Sequence, residues 1–256
     1  MIHSTAIIDS SATIAAGVSI GPYSVVGGDV EIGEGSWIGP HVVVNGPTRI
    51  GRENRIFQFC SIGDVPQDKK FAAEHSSLEI GDGNTIREYC SINRGTGHGG
   101  GVTRVGSGNW IMAYVHIAHD CQVGNDVILA NNATLAGHVS IGDHAILGGF
   151  TLVHQFCDVG AYSFSAMGTA IGKDVPPYIL VAGQPASPRG LNNEGLKRHG
   201  FGGDVLKLLR KAYKIVYRSG LKAEEAIEQL DHAGAQSPEI HAMAEFIKAS
   251  TRGIVR

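Results

Sequence analysis

Between positions 116 and 154 the chain places five of its 12 histidines: His116, His119, His138, His144 and His154. Imidazole is the side chain that changes charge near neutral pH, so such a group can move a proton. It can equally bind a metal, and the segment HIAHD (116–120) carries two histidines three residues apart. General-base work needs a partner that fixes the tautomer, and Asp120 directly follows His119. Adjacency alone does not guarantee that hydrogen bond. No serine nucleophile elbow and no Walker-type loop occurs, which leaves covalent acyl-enzyme and phosphoryl-transfer chemistry without support. The four cysteines, Cys60, Cys90, Cys121 and Cys157, show no CxxC spacing, so neither a zinc site nor a disulfide framework is indicated.

Whether these histidines meet depends on the repeat that carries them. Stepping by six from Ile8 reaches Ile14, Ile20, Val26 and so on to Ile62, resumes at Ile80 to Ile92, and runs again from Val105 to Ile171. Every position in these runs is Ile, Val or Leu except Ser165. The next residue is often Gly, and the residue four places on is small or slim. A period of six fits neither a helix nor an alternating strand. It fits a triangular coil of three short strands, 18 residues per turn, with the aliphatic and the small residue facing inward and Gly lending freedom to the corners. The cysteines all occupy the small inward position. Coils stack about 4.8 Å apart. Ile117, Leu135 and Val153 are then superposed, and His119, Gly137–His138 and His154–Gln155 cluster on successive coils. His116 lies at the corner just before this face, and His144 falls on the next face as a surface residue. Two polar or Gly-rich stretches, 64–77 and 95–103, break the register and read as ejected loops, which often carry function.

Beyond about residue 188 the pattern becomes helical. Asp204–Arg218 has an apolar face of Val205, Leu208, Leu209, Ala212, Ile215 and Val216, and a basic stripe of Lys207, Lys211, Lys214 and Arg218. Helices near 222–233 and 238–250 follow, the last with Ser237 as its cap and Pro238 at its first position. Gly220 is the stop signal after the Asp204–Arg218 helix. Residues 1–188 and 189–256 thus read as two domains. Charge divides likewise: the second holds 12 Lys+Arg against 8 Asp+Glu. The whole chain carries −3, and 43% hydrophobic residues exclude wholesale disorder. No apolar run approaches a membrane span, and no secretory signal opens the chain, so a cytoplasmic location is expected. The basic patch suits an acidic protein, a phosphate-bearing ligand or nucleic acid, or is merely a solvated face.

The register, HIAHDCQVGNDVILANNATLAGHVSIGD (116–143), VHQFC (153–157), NNEGLKRHGF (192–201) and the ending STRGIVR together closely resemble the bacterial UDP-N-acetylglucosamine O-acyltransferase family. The resemblance implies a left-handed parallel β-helix, a homotrimer with clefts between neighbouring prisms, and the first step of lipid A synthesis. An (R)-3-hydroxyacyl group would pass from the phosphopantetheine arm of acyl carrier protein to the 3-hydroxyl of UDP-N-acetylglucosamine. No further cofactor, metal, nucleic acid or membrane span is implied. By motif, His119 would be the general base, Asp120 its orienting group and Gly137 N–H the oxyanion donor. His116, His138, His154, Gln155, and Gln67, Asp68 and Lys70 of the first loop would contact substrate. Asn192, Glu194 and Arg198 would hold the nucleotide end. Met167 in SFSAMGTAIG would close the acyl groove at about ten carbons, where Gly admits longer chains. The stripe Lys207, Lys211, Lys214 and Arg218 would dock the carrier.

The chain departs from the family at His199, where a second arginine is common, and at Asn93, where His is common. Other readings remain: a prism-shaped metalloenzyme such as a carbonic anhydrase, a related sugar N-acyltransferase (usually with an added N-terminal domain), or a non-catalytic scaffold.

Overall fold

A computed structural model describes residues 1–234 and 237–256. Residues 7–182 wind into a left-handed parallel β-helix with three flat faces. Nine strands from Ile7–Ile8 to Ala170–Ile171 make the first face, and eight from Thr13–Ile14 to Asp158–Val159 the second. The third has ten strands, beginning at Ser19–Ile20 and ending on the hairpin Ile179–Ala182/Ser187–Leu191, the only antiparallel pair described. Most strands are two residues long, one pointing out and one in, because a six-residue repeat leaves room for no more. Ile92, Ile117, Leu135 and Val153 pair in direct succession on the first face, as the spacing requires. Their side chains are buried, each contributing about 1.5–3 kcal/mol of burial relative to exposure. All four cysteines are buried and free, filling the small inward position.

The corners differ from the sequence expectation in one respect. Glycine after the aliphatic residue is needed for close approach rather than for backbone freedom. A Cβ at Gly33 would stand 2.5 Å from the Gly51 carbonyl carbon, and one at Gly142 would stand 2.5 Å from the Ala161 nitrogen. The left-handed backbone instead falls three residues beyond the aliphatic, mostly on non-glycine residues. These positions form three columns, one along each corner. Asp120, His138 and Phe156 (φ +61°, +62°, +62°) share the corner between the first and second faces. Asp126, His144, Tyr162 and Tyr178 share the next. Tyr23, His41, Phe59, Tyr89 and Tyr114 share the third, where their rings stack in one ladder with centroids 4.9–5.4 Å apart.

Four helices follow: α1 (Asn193–Arg198), α2 (Gly203–Arg218), α3 (Ala223–Gly234) and α4 (Pro238–Ala249). The short α1 and the hairpin before it carry no period long enough to read in the sequence. Leu206, Leu209, Ala212 and Val216 are the buried residues of α2, with Val205, Leu208 and Ile215 half-buried, so the apolar face is centred closer to Leu206 than the spacing suggested. Ser237 stands at the N-cap of α4, but its hydroxyl donates to Glu239 Oε2 (2.8 Å) rather than accepting a backbone N–H. The chain returns to the prism at its end, where Asp174 N–H donates to Gly253 O and Val255 N–H to Asp174 O.

Candidate active site

Because successive coils are 18 residues apart, His119 lies against Gly137 and Gln155, while Asp120, His138 and Phe156 form the adjoining column. The His138 ring stacks on Phe156 (centroids 4.3 Å) and meets His119 edge-on (5.1 Å). The His119 imidazole rests on the backbone of Gly137: a Cβ there would stand 2.5 Å from Cε1 and 2.7 Å from Nε2. Gly137 N–H has no acceptor among the described residues.

Asp120 is the fully buried member. Its Oδ2 lies 2.8 Å from His119 Nδ1 and 3.7 Å from His138 Nε2. A carboxylate only accepts, so His119 carries its proton on Nδ1 and leaves Nε2 as the basic nitrogen. The remaining partners of the carboxylate come from the second ejected loop. Thr96 N–H donates to Oδ1 (2.9 Å) and the Thr96 hydroxyl to Oδ2 (2.6 Å). Asp120 N–H in turn donates to Thr103 Oγ1 (2.7 Å). Gly95 and Gly99 make this closure possible, since a Cβ on either would strike the Asp120 carboxylate.

The two ejected loops are tied together above the site. Gly97 N–H donates to Glu74 Oε1 (3.0 Å), and Asn93, the last residue of the strand before the second loop, donates from Nδ2 to Val65 O (3.0 Å) in the first. His98 Nε2 lies 3.6 Å from Asp68 Oδ2. The cavity they roof is about 790 Å³. It is lined by Gln67, Asp68 and Lys70, by His119, His138 and Gln155 as the motifs suggested, and also by Asn93, His98 and Phe156. Thr96, His98 and Phe156 were not singled out in the sequence. Phe156 was available from the 18-residue spacing to His138, but nothing in the repeat register marks Thr96 or His98.

Burial holds the His138 imidazole below its usual range, partly offset by the nearby Asp120. His116 is likewise lowered by burial and then by His119. The Lys70 backbone N–H, above all, lowers the Asp68 carboxyl. Cys121 beside the site is an inert thiol, pushed up to about 12 by burial.

Several expected residues lie elsewhere on the single chain. His116 points outward on the first face, its Nδ1 2.7 Å from Ser91 Oγ, and does not line the cavity. His154 is exposed and does not line the cavity, with Nδ1 3.1 Å from Gln155 O. His144 is half-buried on the second corner, stacked on Tyr162 (4.6 Å) and against His199 (4.7 Å), rather than free on the surface. Asn192 is buried and engaged within the chain: it accepts from Gly195 N–H (3.1 Å) and donates to Tyr162 O (3.0 Å), capping α1. Glu194 pairs with Lys197 (2.9 Å), and Arg198 is exposed. Met167 stands on the third corner, 81% exposed. The catalytic, nucleotide and acyl-length candidates therefore occupy three different corners of one prism. Lys207, Lys211, Lys214 and Arg218 are all exposed on α2, with Lys207 paired to Asp204 (3.0 Å).

Residues 174–255 match the family described as UDP N-acetylglucosamine O-acyltransferase, domain 2, and residues 103–137 match the bacterial transferase hexapeptide repeats. The acyl-(acyl-carrier-protein)–UDP-N-acetylglucosamine O-acyltransferase of Pseudomonas entomophila is 56% identical over 255 residues, covering 100% of this chain and 99% of its own. That of Herminiimonas arsenicoxydans is 53% identical over 260 residues with the same coverage. Among solved structures, LpxA from Acinetobacter baumannii superposes with a TM-score of 0.98 at 48% identity, covering 100% of this chain and 99% of that one. The Francisella novicida UDP-N-acetylglucosamine acyltransferase also gives 0.98, at 44% identity, covering 100% and 94%. With more than half of its residues identical to such relatives along its full length, the chain is an acyltransferase and belongs to the UDP-N-acetylglucosamine O-acyltransferase family.

Proposed function

We propose that this chain transfers an (R)-3-hydroxyacyl group, preferably of about ten carbons, from acyl carrier protein to the 3-hydroxyl of UDP-N-acetylglucosamine, opening lipid A synthesis in the cytoplasm. The observation that carries the mechanism is the His119–Asp120 hydrogen bond of 2.8 Å, which leaves Nε2 as the free basic nitrogen in the cleft. His119 Nε2 takes the proton of the sugar hydroxyl as its oxygen attacks the thioester carbonyl carbon. The Gly137 N–H donates to the oxyanion of the tetrahedral intermediate. Collapse expels the thiolate of the phosphopantetheine arm, which takes the proton back from His119. His138, Gln155, Gln67, Asp68 and Lys70 line the space where sugar and acyl group would lie. Residues 1–188 form the catalytic prism in this reading, and 189–256 carry nucleotide and carrier contacts.

The working unit is a homotrimer. Asn192, Glu194, Arg198 and Met167 reach the His119 cleft only if they are supplied by other copies, since they stand on other corners. The exposed aromatic ladder from Tyr23 to Tyr114 and the outward Ile7, Val43 and Leu152 of the first face give the apolar surface that such packing buries.

No metal or other cofactor takes part. His119, Asp120 and His138 do cluster with donor atoms within 4.8 Å of one another. Yet His119 Nδ1 and Asp120 Oδ2, at 2.8 Å, are closer than the roughly 3.3 Å between two ligands on a tetrahedral zinc, and they share a proton instead. The test is an acyl-transfer assay with UDP-N-acetylglucosamine and a panel of 3-hydroxyacyl carrier proteins. Transfer is expected, insensitive to chelators, and about 10²–10⁴-fold weaker in a folded His119→Ala variant. Near-normal activity in that variant overturns the base assignment; activity lost on chelation and restored by zinc favours a metal centre.

A further inference from the structure

The Gly-rich loop that interrupts the repeat at residues 94–101 reaches the proposed base through Asp120. Its short helical turn, Gly97–Gly99, begins just after Thr96, whose side chain also accepts from Gly99 N–H (3.2 Å). That bond and the Thr96 backbone hydrogen bonds fix the hydroxyl so that its proton points at Asp120 Oδ2, the same oxygen that receives His119 Nδ1–H. Thr96 and the Asp120 side chain are fully buried. Gly95 and Gly99 let the loop backbone close against the carboxylate. Two independent features, a directed pair of donors and a pair of glycines without which the pair cannot approach, therefore converge on one carboxylate.

We propose that Thr96 is a positioning residue for acyl transfer: its hydroxyl and amide clamp Asp120 and thereby fix the tautomer and orientation of His119. This deepens the reading of His119 as general base and rests on it. Held at both oxygens by Thr96, the carboxylate cannot turn away from the imidazole, so His119 keeps its proton on Nδ1 and aims Nε2 into the cleft. The other ionisable groups around it are His138 and His116 on the prism, and Asp68, Lys70 and His98 on the roof loops. None of these contacts the Thr96 hydroxyl. Thr96 itself, fully buried beneath the loop, does not touch substrate.

The test compares Thr96→Val, Thr96→Ser and Gly99→Ala in the full-length enzyme, measuring kcat and KM separately. Thr96→Val is expected to lower kcat about tenfold, the size of one lost hydrogen bond to a charged group, with KM for the sugar nucleotide unchanged. Thr96→Ser restores kcat. Gly99→Ala, which pushes the loop off the carboxylate while keeping Thr96, reproduces the Thr96→Val loss. An unchanged kcat in Thr96→Val, or equal losses in the Ser and Val variants, overturns the proposal even though His119→Ala is inactive. An active His119→Ala variant overturns the base assignment and this inference with it.

Discussion

His119 lies on Gly137 with no room for a side chain between them: a Cβ on residue 137 would come within 2.5 Å of the imidazole Cε1. The residue proposed to donate to the oxyanion also sets where the base sits. Gly137→Ala should push the ring off its Asp120 contact and block the oxyanion donor together. A loss of about 10²-fold or more in kcat is expected from misplacement alone, with the fold retained. Steady-state kinetics alongside circular dichroism check this; a folded Gly137→Ala enzyme with normal kcat would contradict it.

Burial keeps His116 and His138 below the usual imidazole value of about 6.5. As pH falls, the unfolded chain therefore binds protons at these sites before the folded one does. Their contribution to stability is complete above about pH 6.5 and is lost as pH falls through the lower folded values. The midpoint of thermal unfolding should drop between pH 7.5 and 5.5, and a His116→Gln/His138→Gln double variant should drop less. Parallel curves for the two proteins would show that neither histidine is linked to folding.

The exposed stripe Lys207, Lys211, Lys214 and Arg218 is the surface proposed for the acidic carrier. Lys211→Glu/Lys214→Glu should slow association with acyl carrier protein by about tenfold at low salt and much less at high salt, because such charges act mainly on encounter. Stopped-flow association rates at two ionic strengths decide it. Unchanged rates mean that the stripe is only solvated.

Met167 stands about 13 Å farther along the prism than His119, taking 4.8 Å per coil, and on a different corner. In the proposed trimer, a neighbouring copy brings it to the end of the acyl chain. Met167→Gly should extend the preferred donor by three or four methylenes. At about 0.8 kcal/mol each, that would change the ratio of ten- to fourteen-carbon donors by more than tenfold. An unmoved ratio removes Met167 from the groove.

The stacking of Ile117, Leu135 and Val153 was legible from the sequence because each six-residue unit contacts only its neighbours, so local spacing determines register. The same rule placed His119, Gly137 and Gln155 together. It did not show which corner residue adopts the left-handed backbone, since that position holds Asp, His, Asn, Phe or Tyr with no fixed type. The 18-residue spacing does pair His138 with Phe156, but it does not show that their rings stack at the left-handed corner. Thr96 and His98 were invisible for a different reason. Across the two ejected loops the paired strands are 30 and 25 residues apart in place of 18, and a loop outside the period carries no information about where it folds back. Nor did spacing reveal that Asn192 is buried against the prism, because the carbonyl its amide donates to, Tyr162 O, is 30 residues distant.

The two ends of the prism are unlike. At the start, the strands Ile7–Ile8 and Thr13–Ile14 each have a neighbour on one side only, and Ile2 bridges Ile20 as the last rung of the third face. At the other end, the hairpin and the Asp174–Ile254 bridge cover the final coil. An open coil is a template on which a foreign strand can add, the hazard that every exposed sheet edge presents. The C-terminal hairpin, helices and returning tail thus act as a stopper: a repeat with no stop of its own is closed at that end by segments that do not follow its period.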